Sequence, residues 1–233
     1  MVFHTKGRDF STQVDVTICH KIINQVSYVK FLGVTIDSTL SWSEHIRITK
    51  TKIAKGIGML VKARKFLCKS TLTTIYNSFI YPYLLYGIEV WGRANRCHID
   101  SLFKMQKKAI RIIASANYRA HTEPLFLSLQ ILPLHKIYIF AVSKLMYRYS
   151  NRCLPPMFNE MFLSNHQVHS HMTRHCQKIH VPLCRTAMLQ RTFRYKGAII
   201  WNHISRHVTH NCSIATYKHN LKQFVLNNDL SSI

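Results

Sequence analysis

Apolar and polar positions divide the chain into a short strand-like beginning and a long helical remainder. Near the N-terminus, Val14, Val16 and Ile18 alternate with polar neighbours, which is the pattern of a half-buried strand. After a turn predicted at residues 24–25, the run VSYVKFLGVTI continues as a second strand, in which Gly33 marks a bulge or a close backbone approach. The pattern therefore predicts an N-terminal β-hairpin.

From residue 41 the spacing of apolar positions becomes helical. Ser41 and Glu44 match an S-x-x-E capping box, which predicts a helix that begins near Trp42. Further helices are predicted to begin near Ser70, Ile99, Thr122 and Pro133. The expected fold is mainly α, with the β-hairpin at its start.

The C-terminal part has a different character. Residues 164–192 are polar, histidine-rich and weakly periodic, which indicates a long loop. The run FRYKGAIIWNHI predicts a short strand or turn that leads into a helix, and Ser213 caps a closing amphipathic helix. The predicted organisation has five segments, which are residues 1–40, 41–120, 121–163, 164–192 and 193–233.

The chain is strongly basic. Its 233 residues include 32 Lys and Arg against 9 Asp and Glu, a formal net charge of +23. Residues 51–150 carry 16 basic and 3 acidic side chains, so the excess is concentrated in the predicted helices. Such an excess opposes compaction unless a polyanion neutralises it, and nucleic acid and acidic membrane surface are the usual polyanions.

Two of the predicted helices place basic side chains away from their apolar stripe. Such a face can follow a phosphate backbone, although a solvated helix surface is the other interpretation. The candidate phosphate contacts are Lys50, Lys52, Lys55, Lys62, Arg64, Lys65, Lys104, Lys107, Lys108 and Arg111.

No membrane partner is predicted. The most apolar run, FIYPYLLYGIEVWG, contains Pro82 and Glu89 and is shorter than the roughly 20 apolar residues that cross a bilayer. The start of the chain does not match a signal peptide, and its seven irregularly spaced cysteines indicate reduced thiols. We therefore expect an intracellular protein, in the nucleus or the cytoplasm.

The acidic residues do not form a catalytic pattern. Two-metal phosphoryl transfer needs at least two carboxylates that hold ions about 4 Å apart. No two of the nine acids lie within four residues of each other, and neither a phosphate-binding loop nor a nucleophile elbow occurs. The sequence thus predicts no polymerase or nuclease centre and no cofactor within this chain.

Two other groups of residues have open interpretations. Seven aromatics could stack on bases, but their helical spacing favours core packing for most of them, namely Trp42, Tyr76, Phe79, Tyr81, Tyr83, Tyr86 and Trp91. A histidine-rich run offers candidate zinc ligands at His169, His175, Cys176, His180 and Cys184. Its spacing matches no zinc module, so a polar surface loop is the alternative.

An ordered series of runs resembles the C-terminal region of non-LTR (LINE-type) retrotransposon reverse transcriptases of the jockey and chicken-repeat kind. The runs are KFLGVTIDSTLSWSEHI, KIAKGIGMLVKARKFL, TTIYNSFIYPYLLYGIEVWG and LFKMQKKAIRII. The later TRH at residues 173–175, YKGAIIWN at residues 195–202 and the closing helix resemble the tail of the same family. The resemblance covers essentially the whole chain in order.

The resemblance implies a role for each part. Phe31, Leu32 and Gly33 match the F/Y-L-G element of the primer grip, which holds the 3′ end of the growing strand, and Gly33 would permit a close backbone approach. The helices that follow resemble the thumb, so the implied partners are RNA and DNA in a template–primer duplex. The fingers, the rest of the palm with its aromatic-Ala-Asp-Asp strand, and the Mg²⁺ they bind would belong to the parent polymerase.

We therefore expect part of a reverse transcriptase that binds a template–primer duplex and does not polymerise alone. Three alternatives stay open on the sequence, and one of them is a zinc-dependent binder built on the histidine-rich segment. The chain could be a stand-alone nucleic-acid-binding protein co-opted from an element, or the inert product of a decaying copy that folds poorly without its palm.

Overall fold

The computed structural model describes residues 1–4, 16–169, 174–208 and 212–230. Across these residues the chain is mainly helical, as predicted, with two small antiparallel sheets near the N-terminus. Val14 of the predicted first strand and Thr173 of the tail lie outside the described residues. No helix in these ranges combines the length and the apolar character needed to cross a membrane.

The first hairpin turns earlier than predicted. β1 (Val16–Ile18) pairs antiparallel with β2 (Lys21–Ile23), and Cys19 and His20 form the connecting turn. Both turn residues have positive φ, 51° and 61°, which is type I′ geometry and matches the twist of the paired strands. The turn predicted at residues 24–25 is wrong because the strand pairing is already complete there.

A second hairpin lies where one long strand was predicted. β3 (Tyr28–Phe31) and β4 (Val34–Asp37) are antiparallel neighbours. Leu32 and Gly33 connect them with φ values of 44° and 83°. Two consecutive residues with positive φ reverse the chain, so Gly33 is a turn residue and not a bulge in a continuous strand.

Helices make up most of the remaining described chain, with a 3₁₀ turn at Pro156–Phe158. They are α1 (Ser43–Ala63), α2 (Lys69–Phe79), α3 (Tyr81–Leu85), α4 (Ile88–Trp91), α5 (Arg96–Ile113), α6 (Glu123–Ser128), α7 (Leu134–Ser150), α8 (Asn165–Val168), α9 (Ala187–Gln190), α10 (Phe193–Ile204) and α11 (Ile214–Asn227). The predicted helix starts near residues 42, 70, 99, 122 and 133 are confirmed to within three residues. The strand or turn predicted at the start of α10 is wrong, because that segment is helical from residue 193.

Helix α1 begins where predicted, but no side chain caps it. Trp42 precedes the helix with a φ of 62°, and the predicted capping box does not form. Glu44 instead pairs with Arg47 at 2.6 Å. Because β4 ends just before the helix, the Asp37 carboxylate accepts hydrogen bonds from the N–H groups of Ser41 and Trp42, at 2.9 and 2.7 Å.

One continuous apolar cluster holds the helices together. α1 packs against β4, α2, α3 and α5, while α7 packs against α3, α4, α5, α10 and α11. The core therefore crosses the predicted boundary at residue 120, and the division into five segments stays a prediction.

Two glycines in α1 have opposite surroundings. A Cβ at Gly56 would lie 2.7 Å from the Ile80 side chain, so this glycine permits close packing of α1 on the end of α2. A Cβ at Gly58 would have no atom within 4 Å. Only the first glycine is therefore required by packing.

A buried glutamine ties three parts of the core together. Gln106 on α5 donates from Nε2 to the Tyr76 hydroxyl and to the Leu132 carbonyl, both at 2.9 Å. Its Oε1 accepts from the N–H of Leu134 at 2.8 Å. Since every polar atom of this side chain has a partner, its burial is compensated.

Candidate nucleic-acid interface

The β3–β4 turn presents apolar side chains to solvent. Phe31 is 62% exposed and Leu32 is 76% exposed. A positive φ is uncommon for a side chain as large as that of Leu32, so neither burial nor backbone preference explains its choice at this position. The structure thus places the three predicted primer-grip residues, Phe31, Leu32 and Gly33, together at one exposed hairpin tip.

Tyr86, in the connection between α3 and α4, anchors this tip. Its hydroxyl donates to the Leu32 carbonyl. Its ring carbon Cε1 would lie 3.2 Å from a Cβ at Gly33, so the side of the turn that the glycine leaves open is filled by this ring. The sequence predicted a close approach at Gly33 but not its partner, which is 54 residues away from Leu32.

Strand β4 of the same hairpin contacts His45 of α1 close to the turn. The N–H of Thr35 donates to His45 Nδ1 at 3.3 Å, and the His45 ring lies 5.5 Å from that of Trp91. Trp91 in turn donates from Nε1 to the Tyr86 carbonyl at 2.8 Å. Burial, aided by the charge of Lys52, lowers the pKa of His45, so the imidazole is neutral at physiological pH.

Asp37 fixes the hairpin relative to α1. Burial raises the pKa of its carboxyl, but hydrogen bonds from Ser41, Thr39 and Trp42 outweigh this effect. The pKa of Asp37 therefore lies below its ordinary value of 3.8, and the charged form is the one the fold stabilises. The hairpin is thus held at its tip by Tyr86 of the α3–α4 connection, along β4 by His45 of α1, and at the end of β4 by the N–H groups of Ser41 and Trp42 just before α1.

Most candidate phosphate contacts of α1 and its C-terminal end point into solvent. The exposed ones are Lys52, Lys55, Lys62, Arg64 and Lys65, whereas Lys50 is half-buried. Lys55 and Lys62 lie two turns apart on the face opposite the buried residues Ile53 and Ile57. The Lys52 ammonium lies 5.2 Å from the centre of the Tyr83 ring, which positions it at the edge of this face.

The basic residues of α5 are more restrained. Lys104 and Lys108 are exposed, whereas Lys107 is half-buried with its ammonium 4.3 Å from the centre of the Phe103 ring. Arg111 donates from Nε to the Ala120 carbonyl at 2.9 Å. Helix α5 therefore offers two freely projecting charges and two that local contacts orient.

Acidic residues do not neutralise these faces. Within the described ranges, salt bridges join Arg47 to Glu44 at 2.6 Å and Arg96 to Asp100 at 3.6 Å. Neither pair includes a candidate phosphate contact. Among the described residues, none of the candidate phosphate contacts is therefore neutralised by a salt bridge.

The aromatic residues divide between core and surface. Core packing is confirmed for the buried Tyr76 and Trp91 and for the half-buried Trp42 and Tyr81. Core packing was expected for most of the seven, and this is confirmed; the other three, Phe79 at 48%, Tyr83 at 38% and Tyr86 at 55% exposure, lie on the surface.

A side chain of helix α10 holds the histidine-rich segment, residues 164–192, by hydrogen bonds. The side chain of Asn202 pairs with the backbone of Ile179, accepting at 3.0 Å and donating at 2.7 Å. Among the described residues, no three His, Cys, Asp or Glu side chains lie where they could hold a metal ion. The candidate zinc ligands His175, Cys176, His180 and Cys184 are therefore not brought together.

Comparison with curated proteins finds relatives among RNA-directed DNA polymerases of mobile elements. The RNA-directed DNA polymerase from mobile element jockey of Drosophila melanogaster is 29% identical over 120 residues, 50% of this chain and 13% of the relative. The chain is similar to non-LTR retrotransposon reverse transcriptases.

Two more relatives from Drosophila melanogaster give the same result. The probable RNA-directed DNA polymerase from transposon X-element is 29% identical over 99 residues, 41% of this chain and 11% of the relative. The probable RNA-directed DNA polymerase from transposon BS is 28% identical over 138 residues, 56% of this chain and 14% of the relative. This chain thus covers only a small part of each relative's length. No protein-family profile and no solved structure matches it.

Proposed function

We propose that this chain binds the template–primer duplex of an RNA-directed DNA polymerase from a non-LTR retrotransposon. The observation that carries the proposal is that none of the candidate phosphate contacts on α1 and α5 forms a salt bridge with an acid among the described residues, in a chain similar to such polymerases. Lysine and arginine side chains that contact phosphates displace the counterions bound to nucleic acid. The release of these counterions favours binding without sequence preference.

Each part of the interface has a distinct role in this proposal. Lys55 and Lys62 contact the phosphate backbone, and the exposed Phe31 and Leu32 pack against the sugar or base at the 3′ end of the primer. Tyr86 holds the hairpin tip in place, so its role is positioning.

The chain positions nucleic acid and does not carry out the chemistry in this proposal. Its acids are scattered along the sequence, so the carboxylates and the Mg²⁺ of nucleotide transfer would come from other parts of the polymerase. Purified chain is expected to incorporate no nucleotide on a primed template, and incorporation that follows the protein through purification would overturn this part.

Binding to a primed RNA–DNA duplex, measured by fluorescence anisotropy over a range of salt concentrations, tests the proposal. Affinity should fall steeply with salt, and the variant Lys55→Gln/Lys62→Gln should reduce the slope of log K against log salt by about 2, since each phosphate contact contributes about 0.9. The matched control Arg185→Gln/Arg206→Gln removes two exposed charges elsewhere and should leave the slope nearly unchanged. Salt-independent affinity, or equal effects of the two variants, would contradict phosphate contact by α1.

The hairpin tip is tested by Leu32→Asn. Asparagine adopts positive φ more readily than leucine, so the hairpin should be no less stable. If Leu32 contacts the primer end, the variant loses the preference for a duplex with a recessed 3′ end over a blunt one. An unchanged preference in a stably folded variant would refute the primer-grip role.

A further inference from the structure

A cavity of about 540 Å³ lies apart from the basic faces of α1 and α5. The residues that follow α4, the first turn of α5, α7 and α10 enclose it. Its size falls in the range of small-molecule sites, roughly 300–1,000 Å³.

Three arginines from different parts of the fold line this cavity. Arg93 follows α4, Arg96 begins α5 and Arg191 follows α9. The Arg191 guanidinium donates to the Asn95 side chain at 2.7 Å, and the Arg93 guanidinium lies 5.8 Å from the centre of the Tyr138 ring. Both contacts hold a guanidinium at the cavity, and a guanidinium matches phosphate with paired donors.

The charged side chains on the lining are basic. The carboxylates that act on lining residues are not part of the lining; they are Asp229 and Glu123, which act on His135, and Glu89, which acts on Tyr138. No acidic residue occurs among the described residues that line the cavity. Asp100 lies 3.6 Å from Arg96, but both side chains are largely exposed, at 52% and 95%, so this pair is screened by solvent. Asn95 precedes α5 without capping it, because its side-chain oxygen accepts from Arg191 instead, and the positive end of this 18-residue helix borders the cavity.

Tyr138 lines the cavity, but its hydroxyl oxygen is buried rather than open to the cavity, with less than 1 Å² of accessible surface. Tyr138 is 4% exposed, and its hydroxyl finds no hydrogen-bond partner among the described residues. A buried hydroxyl without a hydrogen-bond partner costs free energy. Such groups are rare in packed cores unless they serve another requirement.

The remaining wall is apolar. Ile99, Leu134 and Ile139 line the cavity beside the arginines. Inorganic phosphate alone would leave this wall uncovered, whereas a nucleotide unit presents a phosphate to the arginines and a flat base or sugar to the aliphatic side chains.

We propose that this cavity binds one nucleotide of a nucleic-acid strand, with the phosphate between Arg93, Arg96 and Arg191 and the base or sugar against the apolar wall. The choice of a strand over a free nucleotide rests on the proposed function. The cavity would add a second point of attachment, at the junction of α5 with the C-terminal helices.

The first test compares two double variants that remove equal charge. Arg93→Gln/Arg96→Gln alters the cavity and keeps Arg191, whose bond to Asn95 is structural; Arg185→Gln/Arg206→Gln is the control. Affinity for a short oligothymidylate, by anisotropy at one low salt concentration, should fall about tenfold in the first and less than about twofold in the second. Equal losses would overturn the proposal.

A second variant guards against misfolding. Arg93 is half-buried, whereas the Arg96 side chain is 95% exposed, so Arg96→Glu should fold normally. It should weaken oligothymidylate binding by about tenfold or more, because a carboxylate at the rim repels phosphate. An unchanged affinity in this variant, with a cooperative urea transition, would also overturn the proposal.

Calorimetry separates the sources of the phosphate. Thymidine 5′-monophosphate should bind the unmodified chain, and it should bind the Arg93→Gln/Arg96→Gln variant more weakly. Thymidine alone and inorganic phosphate alone should bind to neither protein in the same concentration range. Inorganic phosphate that binds as tightly as the monophosphate would overturn the nucleotide assignment. Monophosphate binding that depends on the arginines, together with no oligothymidylate binding, would support the cavity while refuting the proposed function.

Discussion

Replacing Gly33 by alanine adds one methyl group at the tip of the β3–β4 hairpin, next to the Tyr86 ring. Gly33 has a φ of 83°, and a side chain in left-handed backbone costs roughly 1–2 kcal/mol. The new Cβ would lie 3.2 Å from Tyr86 Cε1, so the ring must shift and strain its bond to the Leu32 carbonyl, which adds about 0.5–1.5 kcal/mol. The unfolded chain loses freedom as well, which offsets about 0.4–1 kcal/mol.

The expected net effect of Gly33→Ala is a destabilisation of about 1–2 kcal/mol. Gly58→Ala is the matched control, because Gly58 is helical with no atom within 4 Å of its would-be Cβ, and should stabilise by about 0.5–1 kcal/mol. Urea unfolding followed by tryptophan fluorescence measures both. With a typical slope near 2 kcal/mol per molar urea, the Gly33→Ala midpoint should fall by roughly 0.5–1 M.

A third variant isolates the contact. In a Tyr86→Ala background the ring is gone, so Gly33→Ala should cost less than in the unmodified chain, and the difference is the coupling between the two positions. Hydrogen exchange of the paired β3 and β4 amides would detect a hairpin that opens alone. Equal, stabilising effects of alanine at Gly33 and Gly58 would refute the type I′ turn and its packing on Tyr86.

Three further predictions follow from single buried or half-buried groups. Asp37→Asn should destabilise the chain by roughly 1–3 kcal/mol in urea unfolding, since the carboxylate accepts several hydrogen bonds just before α1, and an unchanged midpoint would argue against these bonds. Gln106→Leu should cost about 2–3 kcal/mol by the same assay, because it orphans the Leu134 N–H and the Tyr76 hydroxyl in the core, and a neutral result would contradict this bonding. Because the pKa of His45 is lowered in the folded chain, the unfolded chain binds more protons below about pH 6.5, and stability should decline as the pH falls from there towards the folded pKa. Thermal melts of His45→Gln at several pH values should show a smaller decline, and pH profiles identical to those of the unmodified chain would refute this prediction.

Local patterns explain which elements were predictable. The starts of α1, α2 and α7 follow from apolar periodicity and punctuating residues, because helix formation depends on neighbours three and four positions away. Both hairpin turns were missed, since Cys19 and Leu32 are not residues that usually adopt positive φ. The predicted capping box did not form: Glu44 pairs with Arg47, and the Asp37 carboxylate bonds the N–H groups of Ser41 and Trp42, which precede the helix.

The candidate interface was predictable in kind but not in arrangement. The sequence indicated basic faces on α1 and α5 and, through its resemblance, the apolar tip of the hairpin. Other features depend on partners far apart along the chain: the contact of Tyr86 with the hairpin tip, the contact of His45 with β4, and the cavity lined by three arginines. Asn95 and Arg191, for example, lie 96 positions apart. No local pattern encodes such pairs.

Sequence alone thus determined the mainly helical composition, the excess positive charge and the similarity to reverse transcriptases, because each depends on residue type and short spacing. Tertiary structure decided where the charges point, that Gly33 faces a tyrosine ring, and that Arg93, Arg96 and Arg191 share one cavity. The physical reason is that packing brings together side chains from distant segments by shape and burial, and these depend on the whole core.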